Sequence, residues 1–136
     1  MALTLSHGGD TIFSTASRSE EVLVGTKEGI VFLKRNDGGS GWSIARRALA
    51  GKHIHAVIVE PKSGAIIAGA TEDTIYVSED EGQTWEKRDS GITQPDIYSL
   101  AAAQVNGKTR IFAGTQPAYL FFSDDLGRNW IELPAL

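Results

Sequence analysis

Apolar residues in this chain fall in short alternating or apolar runs of four to six residues, each closed by glycine, proline or a polar turn. Such runs predict β-strands; a helix needs apolar positions returning every three or four residues over about a dozen, and no segment shows that period. The runs recur in a set order. First strands are predicted at Thr11 to Ala16, Ile54 to Val59 and Ile97 to Ala102. Second strands follow at Val22 to Gly25, Ile66 to Gly69 and Ile111 to Gly114, and third strands at Gly29 to Leu33, Thr74 to Val77 and Tyr119 to Phe122. Fourth strands open at the tryptophans: Trp42 to Arg46, Trp85 to Arg88 and Trp130 to Leu133. Pro61 to Gly64 and the Asn106-Gly107 pair read as tight turns between first and second strands. The alternation around Leu3 and Leu5 in Met1 to Ser6 predicts an outer strand closing onto a neighbouring unit.

The order repeats three times. Gly25, Gly69 and Gly114 are spaced 44 and 45 residues apart, and Trp42, Trp85 and Trp130 are spaced 43 and 45. A period near 44 built of short strands and glycine turns predicts an all-β protein of three four-stranded antiparallel β-propeller blades. As a single segment over 1–136, the blades run from about 7 to 47, 51 to 90 and 94 to 134. The turn before each tryptophan carries the strongest local signal. It reads Ser78, Asp80, Gly82, Thr84, Trp85 in the second repeat and Ser123, Asp125, Gly127, Asn129, Trp130 in the third. A worn copy places Lys34, Asn36, Gly38 and Ser40 before Trp42, with Gly41 as an extra residue. Aspartate in such a turn accepts hydrogen bonds from the loop's own N–H groups, and glycine supplies a backbone conformation that side chains resist. These roles are structural.

Composition narrows the function classes. The chain has 136 residues and a formal net charge of −4, with basic residues scattered, so no basic stripe invites nucleic acid. Cysteine is absent, which excludes disulfides and thiolate metal sites. No apolar run is long enough to span a membrane as a helix. The opening MALTLSHGGD lacks a basic region followed by an apolar stretch, so the expected location is cytoplasmic.

The turns and the units G-T/A-x(n)-S-x-D-x-G-x-T-W resemble the BNR (bacterial neuraminidase repeat, or Asp-box) group over roughly Thr11 to Leu133. That group includes sialidases, sortilin-type domains, photosystem II assembly-factor propellers and bacterial glycosyl hydrolase-like propellers. The resemblance implies a propeller in which the Asp box marks the fold and is not the active site. Complete propellers of this type carry six or more blades, so three imply half a propeller, expected to be completed to six by homodimerisation.

Candidate chemistry is sparse. The arginine triad and the Phe/Tyr-Arg-Ile-Pro signature of a sialidase are missing; the nearest string, Arg110-Ile111-Phe112, lies in a strand. The arginines are expected at turns and outer strands, in solvent. His53 and His55, two apart on a first strand, point to one face. With Asp96 and Tyr98 they form the expected ligand-binding residues at a channel mouth; His7, beside Gly8 and Gly9, reads as a loop residue. Two histidines without a carboxylate or cysteine signature do not make a metal site, and no metal or cofactor is expected. The carboxylates Glu79, Asp80, Glu81, Asp124 and Asp125 read as turn residues and solvated neighbours. Tyr119, Phe121, Phe122 and the Gln116 to Ala118 loop present either a partner contact or a packing surface between blades. The reading is a non-enzymatic scaffold or binding module that associates with itself and takes a small-molecule, glycan or protein ligand. The alternative is a fragment of a glycoside hydrolase-like enzyme.

Overall fold

The computed structural model describes residues 2–5 and 19–134. It is all-β, with twelve described strands in three four-stranded sheets of consecutive strands. The first sheet contains β1 (Ala2–Leu5), β2 (Glu21–Thr26), β3 (Gly29–Arg35) and β4 (Trp42–Ala48). The middle sheet contains β5 (Ile54–Val59), β6 (Ile66–Ala70), β7 (Ile75–Ser78) and β8 (Glu86–Lys87). The last contains β9 (Asp96–Val105), β10 (Lys108–Gln116), β11 (Leu120–Ser123) and β12 (Ile131–Glu132). The only helical residues described form one 3-10 turn at Asp37–Gly39.

Two apolar seams join the sheets. Leu23, Ile30 and Phe32 of the first sheet meet Ile54, Val57, Ile66, Ala68 and Ala70 of the middle one. Ile67, Ile75 and Val77 on the middle sheet's other face meet Ile97, Ile111, Ala113, Phe121 and Trp130 of the last. A sheet buried on both faces needs apolar residues at every position, and residues 65–70, AIIAGA, are all buried.

Each seam uses the same plug. A β-carbon added to Gly25 would lie 3.1 Å from the Ile54 side chain, and one added to Gly69 would lie 2.5 Å from Ile97 Cγ2. Neither glycine has a positive φ. The residue type is therefore required by space: the isoleucine that enters a first strand fills the hollow over the preceding sheet's second strand. Asn106 (φ 50°) and Gly107 (φ 78°) close the β9–β10 hairpin, as an Asn-Gly pair should.

Two expectations change, and a third lies outside the described residues. Residues 2–5 do not close onto another unit; β1 pairs in parallel with β2, at the edge opposite β3. The β2 edge would otherwise leave a ladder of backbone groups unpaired. The expected first strand at 11–16, and His7, lie outside the described residues. The tryptophan alignment also slips. Leu33 pairs with Ile44, whereas extending the β7–β8 and β11–β12 ladders by one residue sets Trp85 opposite Ser78 and Trp130 opposite Ser123. Val22–Leu33, Ile66–Ser78 and Ile111–Ser123 are equivalent pairs. Ile44 thus stands where the other sheets carry tryptophan. Trp42, two residues earlier, is 38% exposed with the Arg35 guanidinium 4.4 Å from its ring centroid.

Candidate functional site

The two aspartate turns are built alike. Ser78 Oγ accepts the Gly82 N–H (2.8 Å) and donates to Asp80 Oδ1 (2.8 Å). Asp80 Oδ1 also accepts the Thr84 N–H (2.8 Å), and Oδ2 accepts the Thr84 hydroxyl (2.5 Å). In the last sheet Gly127 N–H donates to Ser123 Oγ (2.9 Å), and Asn129 donates from its backbone and its amide to Asp125 (2.9 and 2.8 Å). Hydrogen bonds from Thr84 and Ser78 hold Asp80 down at about pKa 2. Asp125 is lowered as well, because its bonds from Asn129 and Ser123 outweigh a burial effect that raises it. Both turns run through two consecutive positive φ values, Glu81 (61°) with Gly82 (85°) and Leu126 (55°) with Gly127 (84°). With their acceptors occupied by the loops themselves, these carboxylates serve the fold.

The arginines correct the sequence reading. Arg88 is buried, 6% exposed, and spans the seam between the middle and last sheets. It donates to the Leu126 carbonyl (3.0 Å), to Glu79 (2.6 Å) and to Glu86 (2.9 Å). Arg46 does the same one seam earlier: it donates to the Glu81 carbonyl and lies over the Phe32 ring, 3.7 Å from its centroid. Glu81 and Leu126 occupy the same place in their turns, so each seam is closed by an arginine reaching a carbonyl of the following turn. A guanidinium with several donors does this while its stem covers apolar surface. Periodicity in the sequence does not show it, since the two arginines differ in their offset from the tryptophans.

The four expected ligand residues flank the plug isoleucines, His53 and His55 around Ile54, Asp96 and Tyr98 around Ile97. Three of them meet. The His53 and His55 rings lie 4.3 Å apart between centroids, and His55 stacks on Tyr98 at 4.4 Å with an interplanar angle of 18°. His55 is buried at the centre of the stack, and Tyr98 is 43% exposed at its open end. The half-exposed Tyr98 is thus the outer member of a stack backed by two imidazoles. Asp96 braces a loop. Its Oδ1 accepts the Glu72 N–H (2.6 Å), pinning a segment in which Glu72 and Thr74 both have positive φ (57° and 58°). Beside the stack Asp73 binds Lys52, Lys87 (2.9 Å) and the Tyr76 hydroxyl (3.0 Å). Burial raises the Asp73 pKa, but these donors outweigh it and bring it to about 2.

Among the described residues no three His, Asp or Glu side chains group as a metal site requires, and no helix is long and apolar enough to cross a membrane. Of the surface aromatics, Phe121 is fully buried, Tyr119 is exposed, and Phe122 is half-buried with Arg110 4.2 Å from its ring centroid. A cleft of about 330 Å³, which the sequence did not announce, opens between the first and middle sheets. Its walls include Phe32, Arg46, Glu21, Glu79 and Glu81, and Arg46 is already engaged there by the seam. The chain matches no family model and no curated protein sequence.

Proposed function

We propose that the three sheets are consecutive blades of a β-propeller, and that the chain is a non-enzymatic binding module that takes its ligand at the His53–His55–Tyr98 stack. The glycine–isoleucine plug and the arginine–carbonyl clasp support the blade reading, because both seams between consecutive sheets are closed by the same rule. The stack carries the binding reading. A half-exposed tyrosine backed by two imidazoles suits a ligand with a flat, weakly polar face, such as a sugar ring or a small aromatic, because a ring gains most by stacking with its polar edge left in water.

The test is an NMR titration of the His53 and His55 ring protons with N-acetylglucosamine, lactose and benzoate. At least one probe is expected to shift both imidazoles saturably. Tyr98→Ala should weaken that response by roughly tenfold, while Trp42→Ala should leave it unchanged. Absence of saturable shifts with all three probes, or an equal response in Tyr98→Ala, would overturn the assignment.

A further inference from the structure

We infer that the outward face of the last sheet is a docking surface for a second copy of this chain, which seats its first sheet there and receives the reciprocal contact. The inference rests on the blade reading above. The register makes Ile30, Ile75 and Leu120 equivalent, since they pair with Gly25, Gly69 and Gly114. Ile30 and Ile75 are fully buried by the next sheet, whereas Leu120 is 42% exposed. Phe32, Val77 and Phe122 form a second equivalent set. A β-carbon on Gly82 would lie 2.6 Å from Phe32, and one on Gly127 would lie 3.4 Å from Val77 Cγ2, so each aspartate-turn glycine lands on the preceding sheet's member of this set. Nothing described lands on Phe122 in that way; Arg110 covers it. Over Gly114 the space that Ile54 and Ile97 fill elsewhere meets only Ser99 of its own sheet. The last sheet therefore presents the same hollow and apolar row that the other two bury.

The first sheet offers the matching surface. Its far face carries Val24, Leu33 and Ile44, positions equivalent to Ala68, Ser78 and Trp85, which the middle sheet buries wholly or partly against its predecessor. Ile44 is 53% exposed. The clasp points the same way. Leu133 follows Trp130 by three residues, as Arg88 follows Trp85, so the last sheet has no arginine at that place. The turn it would reach in a first sheet, 36–41, is the one without the Ser-x-Asp-x-Gly pattern; there Asn36 donates to the Ser40 carbonyl (3.0 Å) and Gly38, Gly39 and Gly41 carry positive φ values. Donor and receptor are missing as a pair, as a last-to-first seam entails. Two copies related by a two-fold axis form that seam twice and close.

Sedimentation velocity across a dilution series tests this on the full chain. The expected wild-type particle has twice the 14.6 kDa chain mass. Leu120→Glu on one face and Ile44→Glu on the other are each expected to weaken association by roughly 30-fold or more, since either buries an unpaired charge in both seams. Circular dichroism should show both variants folded, because both positions are exposed. Mixing the two variants should restore part of the two-chain particle, because one of its two seams is then wild type. A wild-type chain that stays single at all concentrations would overturn the inference. So would loss with Leu120→Glu but not Ile44→Glu, which would mean last faces meeting each other, and so would growth into open polymers. The imidazole titration repeated on Leu120→Glu reads the binding site within one chain, so failure of docking and failure of the ligand assignment give different results.

Discussion

The middle and last sheets share a strand order, an aspartate turn and a tryptophan, yet their right-hand faces live in different surroundings. On the middle sheet Ile67, Gly69, Ile75 and Val77 are shut under the last sheet. On the last sheet their equivalents, Phe112, Gly114, Leu120 and Phe122, are half-buried or exposed. The sequence treats both faces as interior and the described chain covers one of them. A repeat thus specifies a complementary surface twice over, as a face and as the face it fits.

The sharpest way to break this comparison is to fill the hollow. Gly69→Val drives a branched side chain into Ile97, whose Cγ2 and Cβ would lie 2.5 and 2.9 Å from the new β-carbon. Backbone and rotamer shifts of that kind are expected to cost about 3 kcal/mol or more. Gly114→Val meets only the Ser99 hydroxyl, which can rotate aside, so it should change the unfolding free energy of the single chain by less than about 1 kcal/mol. Urea unfolding at high dilution measures both. Equal losses would mean that the two glycines serve the backbone and that the plug account is wrong.

Next in size are the turns, where the two sheets are alike. Ser78→Ala and Ser123→Ala each strand the buried N–H of the following glycine and remove the serine hydroxyl that donates to the aspartate. Each is expected to cost about 1–3 kcal/mol by the same unfolding measurement. The two losses should agree closely, because the turn closes on itself whether or not its sheet is covered. A much smaller loss at Ser123 would tie the turn to the seam instead.

That contrast marks what was legible in the sequence. Self-contained features could be read directly: the strands at Ile54–Val59 and Ile66–Ala70, the Asn106-Gly107 hairpin and the Ser78 and Ser123 turns all follow from local residue chemistry. Features decided between sheets could not. Gly25 and Gly69 were legible as repeat markers at the ends of second strands, but not as the sockets they are. Arg46 and Arg88 looked solvated and are clasps, because nothing near them in sequence shows the carbonyl they reach. Trp42 aligned with Trp85 and Trp130 by spacing, but a bulge between Phe32 and Leu33 and the longer β3 set Ile44 in that slot. At the site, i to i+2 spacing brought His53 and His55 to one side, and equivalence of first strands placed Tyr98 against them. The loop contact of Asp96 was not legible, because the amide that it accepts from, Glu72, lies 24 residues away.

Acid sharpens the comparison most gently, through a group that belongs to a covered seam. Glu60 is 1% exposed at the end of β5, and its carboxylate accepts the Lys62 N–H (3.0 Å), the Ser63 N–H (2.6 Å) and hydroxyl (2.5 Å), and the Thr109 hydroxyl (2.9 Å) of the last sheet. Burial pushes its pKa up, but the four donors outweigh burial and bring it to about 2 from an ordinary 4.5. The last sheet's corresponding turn is the Asn106-Gly107 hairpin, which has no such acid. A carboxyl whose folded pKa is depressed stabilises the fold fully above its unfolded value and loses that contribution as pH falls toward the folded one. The chain is therefore expected to lose melting temperature between about pH 4.5 and pH 2, with Asp73, also near 2, contributing in the same window. Glu60→Gln should lower stability at pH 7 by about 1–3 kcal/mol and flatten the acid slope, leaving the part due to Asp73, Asp80 and the other lowered carboxyls. An unchanged slope in Glu60→Gln would mean that Glu60 does not carry the acid sensitivity of the seam between the middle and last sheets.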